Sequence, residues 1–320
     1  MTDRRPTAVV GAGSIGLGWA VVFARAGRPV VLHDSSAEML SRARDGISER
    51  LDELATAGLL TSPPEAVLAR VTTEPELDRA LAGAAWVQEC IVEDLDAKHS
   101  LFTAIDRLSA PDAVLASSSS MIAASRWAGD LPGRHRCLVV HPGNPPYLLP
   151  VAELVPAPFT DPGITARAGD VLRAAGMTPV VVHGEPEGFV FNRLQGAVLR
   201  EAYCLVRDGV ISASDLDRVV SQGLGRRWAV IGPFTTSQLN TRGGIRRHAR
   251  VMGPAYQRMG AERGQHDPWT PELVEQVALD VEARLPEHEW DEQVLRRDAA
   301  LVELERARRA NADLFGSFDA

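Results

Sequence analysis

The sequence predicts a two-domain α/β protein: a doubly wound sheet over residues 1–186, followed by a smaller all-α domain over residues 187–320. Three observations carry that expectation. Short apolar runs alternate with stretches of helical periodicity through the first half. A glycine-rich turn separates the first run from the first helix. After the linker-like Gly184-Glu185-Pro186 the strand patterns stop and helical ones take over. A chain of 320 residues is long enough for two domains of about 100–200 residues each.

The first element is a strand over Thr7–Val10, ending in Gly11-Ala12-Gly13-Ser14-Ile15-Gly16. Ile15, Trp19, Val22, Phe23 and Ala26 then recur at helical spacing, and Pro29–His33 reads as a second buried strand ending on Asp34. Strand, glycine turn, helix, strand and acid, in that order, make the dinucleotide-binding fingerprint of a Rossmann domain. Gly11 permits the tight turn, Gly13 lets a pyrophosphate approach the backbone, and Gly16 lets helix and strand pack closely. The helix start, with Ser14 and Ile15, offers free N–H groups to the diphosphate. Asp34 suits the two ribose hydroxyls and would repel a 2′-phosphate; no arginine follows it, so the expected cofactor is NAD rather than NADP.

Further strands are expected at Trp86–Val92, Ala113–Ala116, Cys137–His141, Val151–Val155 and Thr178–Val182, with helices at Asp96–Leu108 and Thr165–Ala175 among them. In the second half, helices are expected over Phe189–Asp208, Ala213–Gly223, Pro271–Leu285 and Glu289–Asn311, with Ser212-x-x-Asp215 as a capping box.

Composition narrows the function classes. An apolar content of 45% and a charged content of 24% are those of a globular protein, and a net charge of −8 speaks against nucleic-acid or anionic-membrane partners. The polar N-terminus lacks a signal-peptide core, and no apolar run reaches the roughly 18 residues of a membrane span, so a soluble cytoplasmic protein is expected. Cys90, Cys137 and Cys204 have neither disulfide nor metal spacing, and no metal site is expected. The basic residues are 33 arginines and a single lysine, Lys98.

Ligands of such sheets lie beyond the C-terminal ends of the strands. Alcohol oxidation with NAD needs a base poised near neutral pH, and His141 stands at such a strand end, followed by the rigid Pro142-Gly143-Asn144-Pro145-Pro146. Glu153 could orient its imidazole as the carboxylate does in a triad. On these residues alone, His141 reads equally well as a turn histidine and Glu153 as an edge-strand charge. Ser117–Ser120 follow another strand end and are either loop filler or the source of one hydroxyl that meets the reacting oxygen. Asn192, early in the first helix of the second domain, could reach the cleft. Arg227, in Gly223-Leu224-Gly225-Arg226-Arg227-Trp228, could clamp a carboxylate or be a surface arginine.

Taken together, Gly11–Gly16, Glu93-x-x-x-x-Lys98, Ser120, His141-x-x-Asn144-Pro145, Glu153 and Gly188-Phe189-x-x-Asn192-Arg193 resemble the 3-hydroxyacyl-CoA dehydrogenase superfamily over nearly the whole chain. Gln88-Glu89-Cys90, His141–Tyr147 and Gly223–Trp228 with Ile231-Gly232-Pro233 are most similar to its λ-crystallin/L-gulonate 3-dehydrogenase branch; carnitine dehydrogenases are similar in the last stretch. The resemblance implies His141 as general base, Glu153 as its orienting partner, and Ser120 and Asn192 on the reacting oxygen or its neighbour. It implies cofactor contacts from Asp34, Glu93, Lys98 and Asn144, and a substrate carboxylate at Arg227. It also implies a homodimer. Two departures stand out: Gly143 where the gulonate branch has valine, and Ser118-Ser119 where the CoA enzymes have Asn-Thr.

The segment Glu38–Glu53 carries five acids against Arg42, Arg44 and Arg50, a poor surface for CoA phosphates. The expected substrate is therefore a small free 3-hydroxy acid such as L-gulonate or L-3-hydroxybutyrate, oxidised to the 3-oxo acid. A 3-hydroxyacyl-CoA ester and carnitine are the alternatives. A crystallin-like NAD-binding structural protein is the non-enzyme alternative, and an NAD-sensing regulator lacks the helix-turn-helix or basic arm it would need.

Overall fold

The computed structural model describes residues 5–240, 242, 244–263, 272 and 286–311. Its centre is an eight-stranded sheet of order β3-β2-β1-β4-β5-β6-β7-β8. The strands are β1 (Thr7–Val10), β2 (Val30–His33), β3 (Val71–Thr73), β4 (Trp86–Glu89), β5 (Val114–Ser117), β6 (Cys137–Pro142), β7 (Val151–Pro156) and β8 (Thr178–Val181). Every neighbouring pair is parallel except β6 and β7. That exception follows from chain length: β6 ends at Pro142 and β7 begins at Val151, whereas a parallel return needs a crossover of about a dozen residues or more. The doubly wound sheet therefore carries one reversed joint, at the pair that holds His141 and Glu153.

Helices cover both faces. On one lie α1 (Ser14–Arg25) and α2 (Ala37–Thr56), whose Trp19, Phe23, Ile47, Leu51 and Leu54 are fully buried. The short α3 (Pro64–Leu68) leads from α2 into the edge strand β3, and the equally short α4 (Leu77–Leu81) connects β3 to β4. On the opposite face α5 (Leu95–Leu108) packs beside α6 (Ala124–Trp127), with the Phe102 and Trp127 rings stacked at 3.9 Å. Truncating such a buried ring typically costs about 3–5 kcal/mol. α7 (Pro162–Ala174) returns the chain to β8. Strand order reverses between β2-β1 and β4-β5, which puts the switch-point crevice at the C-terminal ends of β1 and β4.

The described residues divide into two compact units. The first runs to Arg193 and includes Leu301–Arg306; the second starts at Leu194. The helical part comprises α8 (Phe191–Arg207), α9 (Ala213–Val219), a π-helical turn over Val220–Leu224, α10 (Gly225–Trp228), α11 (Pro233–Asn240), α12 (Gly244–Arg263) and the helix Trp290–Ala310. Ser212 caps α9 by accepting from Asp215 N–H, as its spacing suggests. α8 starts two residues later than its apolar pattern implies, because Gly188 and Phe189 both take left-handed backbone angles, φ 74° and 51°. The expected helix Pro271–Leu285 lies outside the described residues except at Glu272.

Candidate active site

The cofactor half is built from backbone. Gly11 has φ 108°, and a Cβ there would lie 2.7 Å from the Cys90 carbonyl oxygen. A Cβ on Gly16 would fall 1.8 Å from the Gly11 oxygen. Both positions therefore exclude any side chain. Gly13 differs: its Cβ would meet nothing within 4 Å, so open ground lies before the first turn of α1 at Ser14 and Ile15. That is the cradle a diphosphate needs, facing unpaired N–H groups and the positive end of a helix. Asp34 closes the loop, accepting from Ala12 N–H with Oδ2 and from Ser36 N–H with Oδ1, both at 2.8 Å. It remains partly exposed, with lone pairs to spare for ribose hydroxyls. Asn144 is exposed on the segment between β6 and β7.

The single lysine is buried. Lys98 Nζ sits 2.9 and 3.0 Å from the two oxygens of Glu89 and 3.4 Å from Glu93 Oε2. Glu89, at the end of β4, is fully buried and also accepts from Ser117 Oγ and Ile91 N–H. Burial pushes its carboxyl up, and these donors only partly counter that. Glu93 is more open. Partial burial raises its carboxyl, but the Ser119 hydroxyl, the Met121 and Ile122 N–H groups and Lys98 outweigh that and hold it below 4.5. Burial pushes the Cys137 thiol up to about 12 and raises Cys90 as well, so neither is a thiolate at neutral pH.

The four serines after β5 separate cleanly. Ser117 Oγ donates to Glu89, and Ser118 Oγ accepts from Trp19 Nε1 and Gln88 Nε2. Ser119 Oγ donates to Glu93. The Ser120 hydroxyl makes no hydrogen bond with the described residues, while its carbonyl accepts from Asn192 Nδ2 at 2.9 Å. Three hydroxyls thus hold the loop and the fourth is free for a ligand.

His141 and Glu153 are direct partners across the antiparallel joint. His141 Nδ1 lies 2.8 Å from Glu153 Oε2, and both residues are buried. The other carboxylate oxygen, Oε1, accepts the N–H groups of Val190 and Phe191 at 2.8 and 3.0 Å. Burial raises the Glu153 carboxyl, but the imidazole and the two N–H groups more than offset this and hold it below 4.5. The rings of Phe189 and Phe191 lie 5.8 and 6.0 Å from the imidazole. Ser120, His141, Glu153 and Asn192 all belong to the first compact unit. Arg227 lies on α10 in the second unit, and its side chain is exposed there.

Glu89 carries no role in the sequence reading, and Ser117 enters it only as one of four candidate hydroxyls. A signal for Glu89 was present: an acid ending a buried strand, nine residues before the only lysine. Gly143, the departure from the gulonate branch, is explained by packing, since a Cβ there would lie 2.8 Å from Leu149 Cβ.

Residues 6–185 match the NAD binding domain of 3-hydroxyacyl-CoA dehydrogenases, and residues 188–285 match the C-terminal domain of the same enzymes. The human λ-crystallin homolog is 36% identical over 307 residues, spanning 92% of this chain and 95% of that one. An L-carnitine dehydrogenase of Oceanobacillus iheyensis is 32% identical, spanning 94% and 97%. Among solved structures, an NAD+-dependent 5-formyl-3-hydroxy-2-methylpyridine 4-carboxylic acid 5-dehydrogenase superposes with TM-score 0.82 at 29% identity, covering 95% of this chain and 98% of that one. With both domains matched in order over most of its length, the chain is an NAD-dependent oxidoreductase belonging to the 3-hydroxyacyl-CoA dehydrogenase family.

Proposed function

We propose that the protein oxidises the 3-hydroxyl of a small free hydroxy acid, of the L-gulonate or L-3-hydroxybutyrate class, to the 3-oxo acid, reversibly and with His141 as general base. The observation that carries this reading is the 2.8 Å contact between His141 Nδ1 and Glu153 Oε2. Glu153 stays ionised at neutral pH, so it accepts a proton borne on Nδ1 and leaves Nε2 as the basic nitrogen. Nε2 takes the hydroxyl proton as the carbon–hydrogen bond breaks, and Glu153 stabilises the imidazolium that results. NAD+, when bound, accepts the hydride. The Ser120 hydroxyl and the Asn192 amide hold the reacting oxygen or its neighbour, and Gly11, Gly13, Ser14, Ile15, Gly16, Asp34, Glu93, Lys98 and Asn144 hold the cofactor.

A free acid rather than a CoA ester is favoured by Arg227, an exposed guanidinium suited to a carboxylate and without an ion-pair partner among the described residues, and by the acids along α2. The carnitine dehydrogenase and the pyridine carboxylic acid dehydrogenase act, by their names, on compounds that are not CoA esters. The test is kcat/KM for L-gulonate, L-3-hydroxybutyrate, L-carnitine and 3-hydroxybutyryl-CoA, in wild type and Arg227→Ala. A free acid should lead, with Arg227→Ala raising its KM by about 10- to 100-fold, as loss of a charged hydrogen bond does. A CoA ester that leads and is indifferent to Arg227→Ala overturns the free-acid reading.

The protein acts in this reading as a homodimer. Among its described residues the second unit exposes Leu194, Val198, Phe234, Val251, Tyr256 and Met259, apolar side chains that a partner subunit would cover. Light scattering on the purified protein reads this directly, and a monomer at micromolar concentration rules it out. No helix among the described residues is long and apolar enough to cross a membrane.

A further inference from the structure

Between β8 and α8 one residue takes a backbone angle that its own side chain disfavours. Phe189 is the only non-glycine among the described residues with a positive φ, 51°, and it is fully buried. Bulky side chains rarely adopt that angle, and such a conformation persists only where the surroundings over-determine it. The Phe189 ring lies in one apolar cluster with Val139 of β6, Val155 of β7 and Val182. It also stands 5.8 Å from the His141 imidazole, tilted at 55°. The chain around it is tied down: Glu185 accepts Ser125 N–H, and Phe189 N–H donates to the Pro186 carbonyl, both at 2.9 Å. Immediately after Phe189 the next two N–H groups, of Val190 and Phe191, both meet Glu153 Oε1. Successive N–H groups converge on one oxygen where the backbone forms a concave turn of this kind. A glycine, like its neighbour Gly188 at φ 74°, would take the angle freely but leave it unanchored.

We propose that Phe189 is a positioning residue for the His141–Glu153 pair: its ring, packed with the two strands that carry the pair, holds the backbone at the angle that aims the Val190 and Phe191 N–H groups at Glu153 Oε1. With Oε1 held there, Oε2 faces His141 Nδ1 and the carboxylate does not turn away from the imidazole. The ring acts through the backbone on the carboxylate, and through the carboxylate on the base. The kinetic consequence rests on the dehydrogenase reading above; the backbone one does not. The strained angle separates this role from mere filling of the core. Removing the ring while keeping a Cβ lets the backbone relax to an ordinary φ and swings both N–H groups away. Removing the Cβ as well takes away the reason to relax.

The experiment compares wild type with Phe189→Ala, Phe189→Gly and Phe189→Leu. It measures kcat and KM for the best hydroxy acid, the Glu153 carboxyl titration by carbon NMR, and hydrogen exchange of the Val190 and Phe191 amides. Phe189→Ala should lose about 30-fold in kcat with KM within about threefold, and exchange both amides at least about tenfold faster. Its Glu153 carboxyl should titrate at higher pH than in wild type, because two donors to the ionised form are gone. Phe189→Gly also loses the ring but accepts the left-handed angle, so it should lose only about fivefold in kcat. A residue that only fills space gives the reverse order, since glycine leaves the larger cavity and the looser chain. Phe189→Leu keeps most of the bulk and should move every readout as Phe189→Ala does, by a smaller factor; it serves if the smaller residues do not fold. Combining Phe189→Ala with Glu153→Gln should cost little beyond Glu153→Gln alone, because both disable one device. Amide exchange and Glu153 titration unchanged in the variants that fold, or Phe189→Gly slower than Phe189→Ala, overturns the proposal. If wild type turns over none of the hydroxy acids, the dehydrogenase reading fails, and the titration with amide exchange alone decides this one.

Discussion

Two buried glutamates mark the two sides of the reactive edge, and the fold treats them in opposite ways. Glu89 ends β4 and Glu153 lies in β7; they are 0% and 4% exposed. Burial pushes both carboxyls up, yet Glu89 stays raised and Glu153 ends lowered. The donors account for the difference. Glu153 collects two backbone N–H groups from the start of α8 together with the imidazole. Glu89 has one backbone N–H, one hydroxyl and an ammonium that had to be buried with it. Fixed backbone dipoles stabilise a carboxylate without a second ion to desolvate, whereas a buried ion pair carries the desolvation cost twice. The β4 side therefore sets geometry, and the β7 side keeps a charge available to a base.

The sharpest way to break this contrast is His141→Ala. Turnover should fall by about 10³- to 10⁴-fold with NADH affinity within about twofold, measured by steady-state rates and fluorescence titration. Retained turnover would remove His141 from the base role. On the β4 side, Lys98→Met leaves Glu89 buried without its counter-ion and should cost about 3–5 kcal/mol in urea unfolding. Adding Glu89→Gln should recover most of that, because the two changes are strongly coupled. Glu153→Gln should lower kcat by about 10²- to 10³-fold, through loss of the orienting charge, with a smaller effect on stability than Lys98→Met. Gly143→Ala forces Leu149 to shift and should cost about 1–3 kcal/mol, read from the urea midpoint.

The smallest effect is in acid. A carboxyl whose folded value lies below its unfolded value of 4.5 adds stability that is fully present above that pH and is lost as pH falls through the folded value. The gap in thermal midpoint between wild type and Glu153→Gln should therefore be constant near neutrality and close below about pH 4. A gap that widens in acid would contradict the ionised, hydrogen-bonded state of Glu153.

Most strands were legible because their apolar runs are bounded by turn residues, and the observed β1, β5, β6, β7 and β8 lie within a residue of the expected ends. β3 was not, since it has three residues and only Val71 is buried. α11 and α12 were missed as well. α12 contains Pro254 and no buried residue, so it offers no apolar stripe to a periodicity search. The start of α8 was misplaced by two residues, since its pattern cannot reveal that Phe189 sits fully buried at positive φ.

By itself the sequence determined the cofactor turn, the acid after β2, and a histidine at a strand end, because these depend on near neighbours in the chain and on which residues tolerate a given φ. Only the tertiary structure decided that β6 and β7 run antiparallel and bring His141 opposite Glu153. It also decided that Lys98 lies between Glu89 and Glu93, and that Ser120 alone of four serines keeps its hydroxyl uncommitted among the described residues. Those are pairings between groups from 5 (Lys98 and Glu93) to 99 (Trp19 and Ser118) residues apart, set by register and by the demand that every buried charge find donors, and composition along the chain does not encode either.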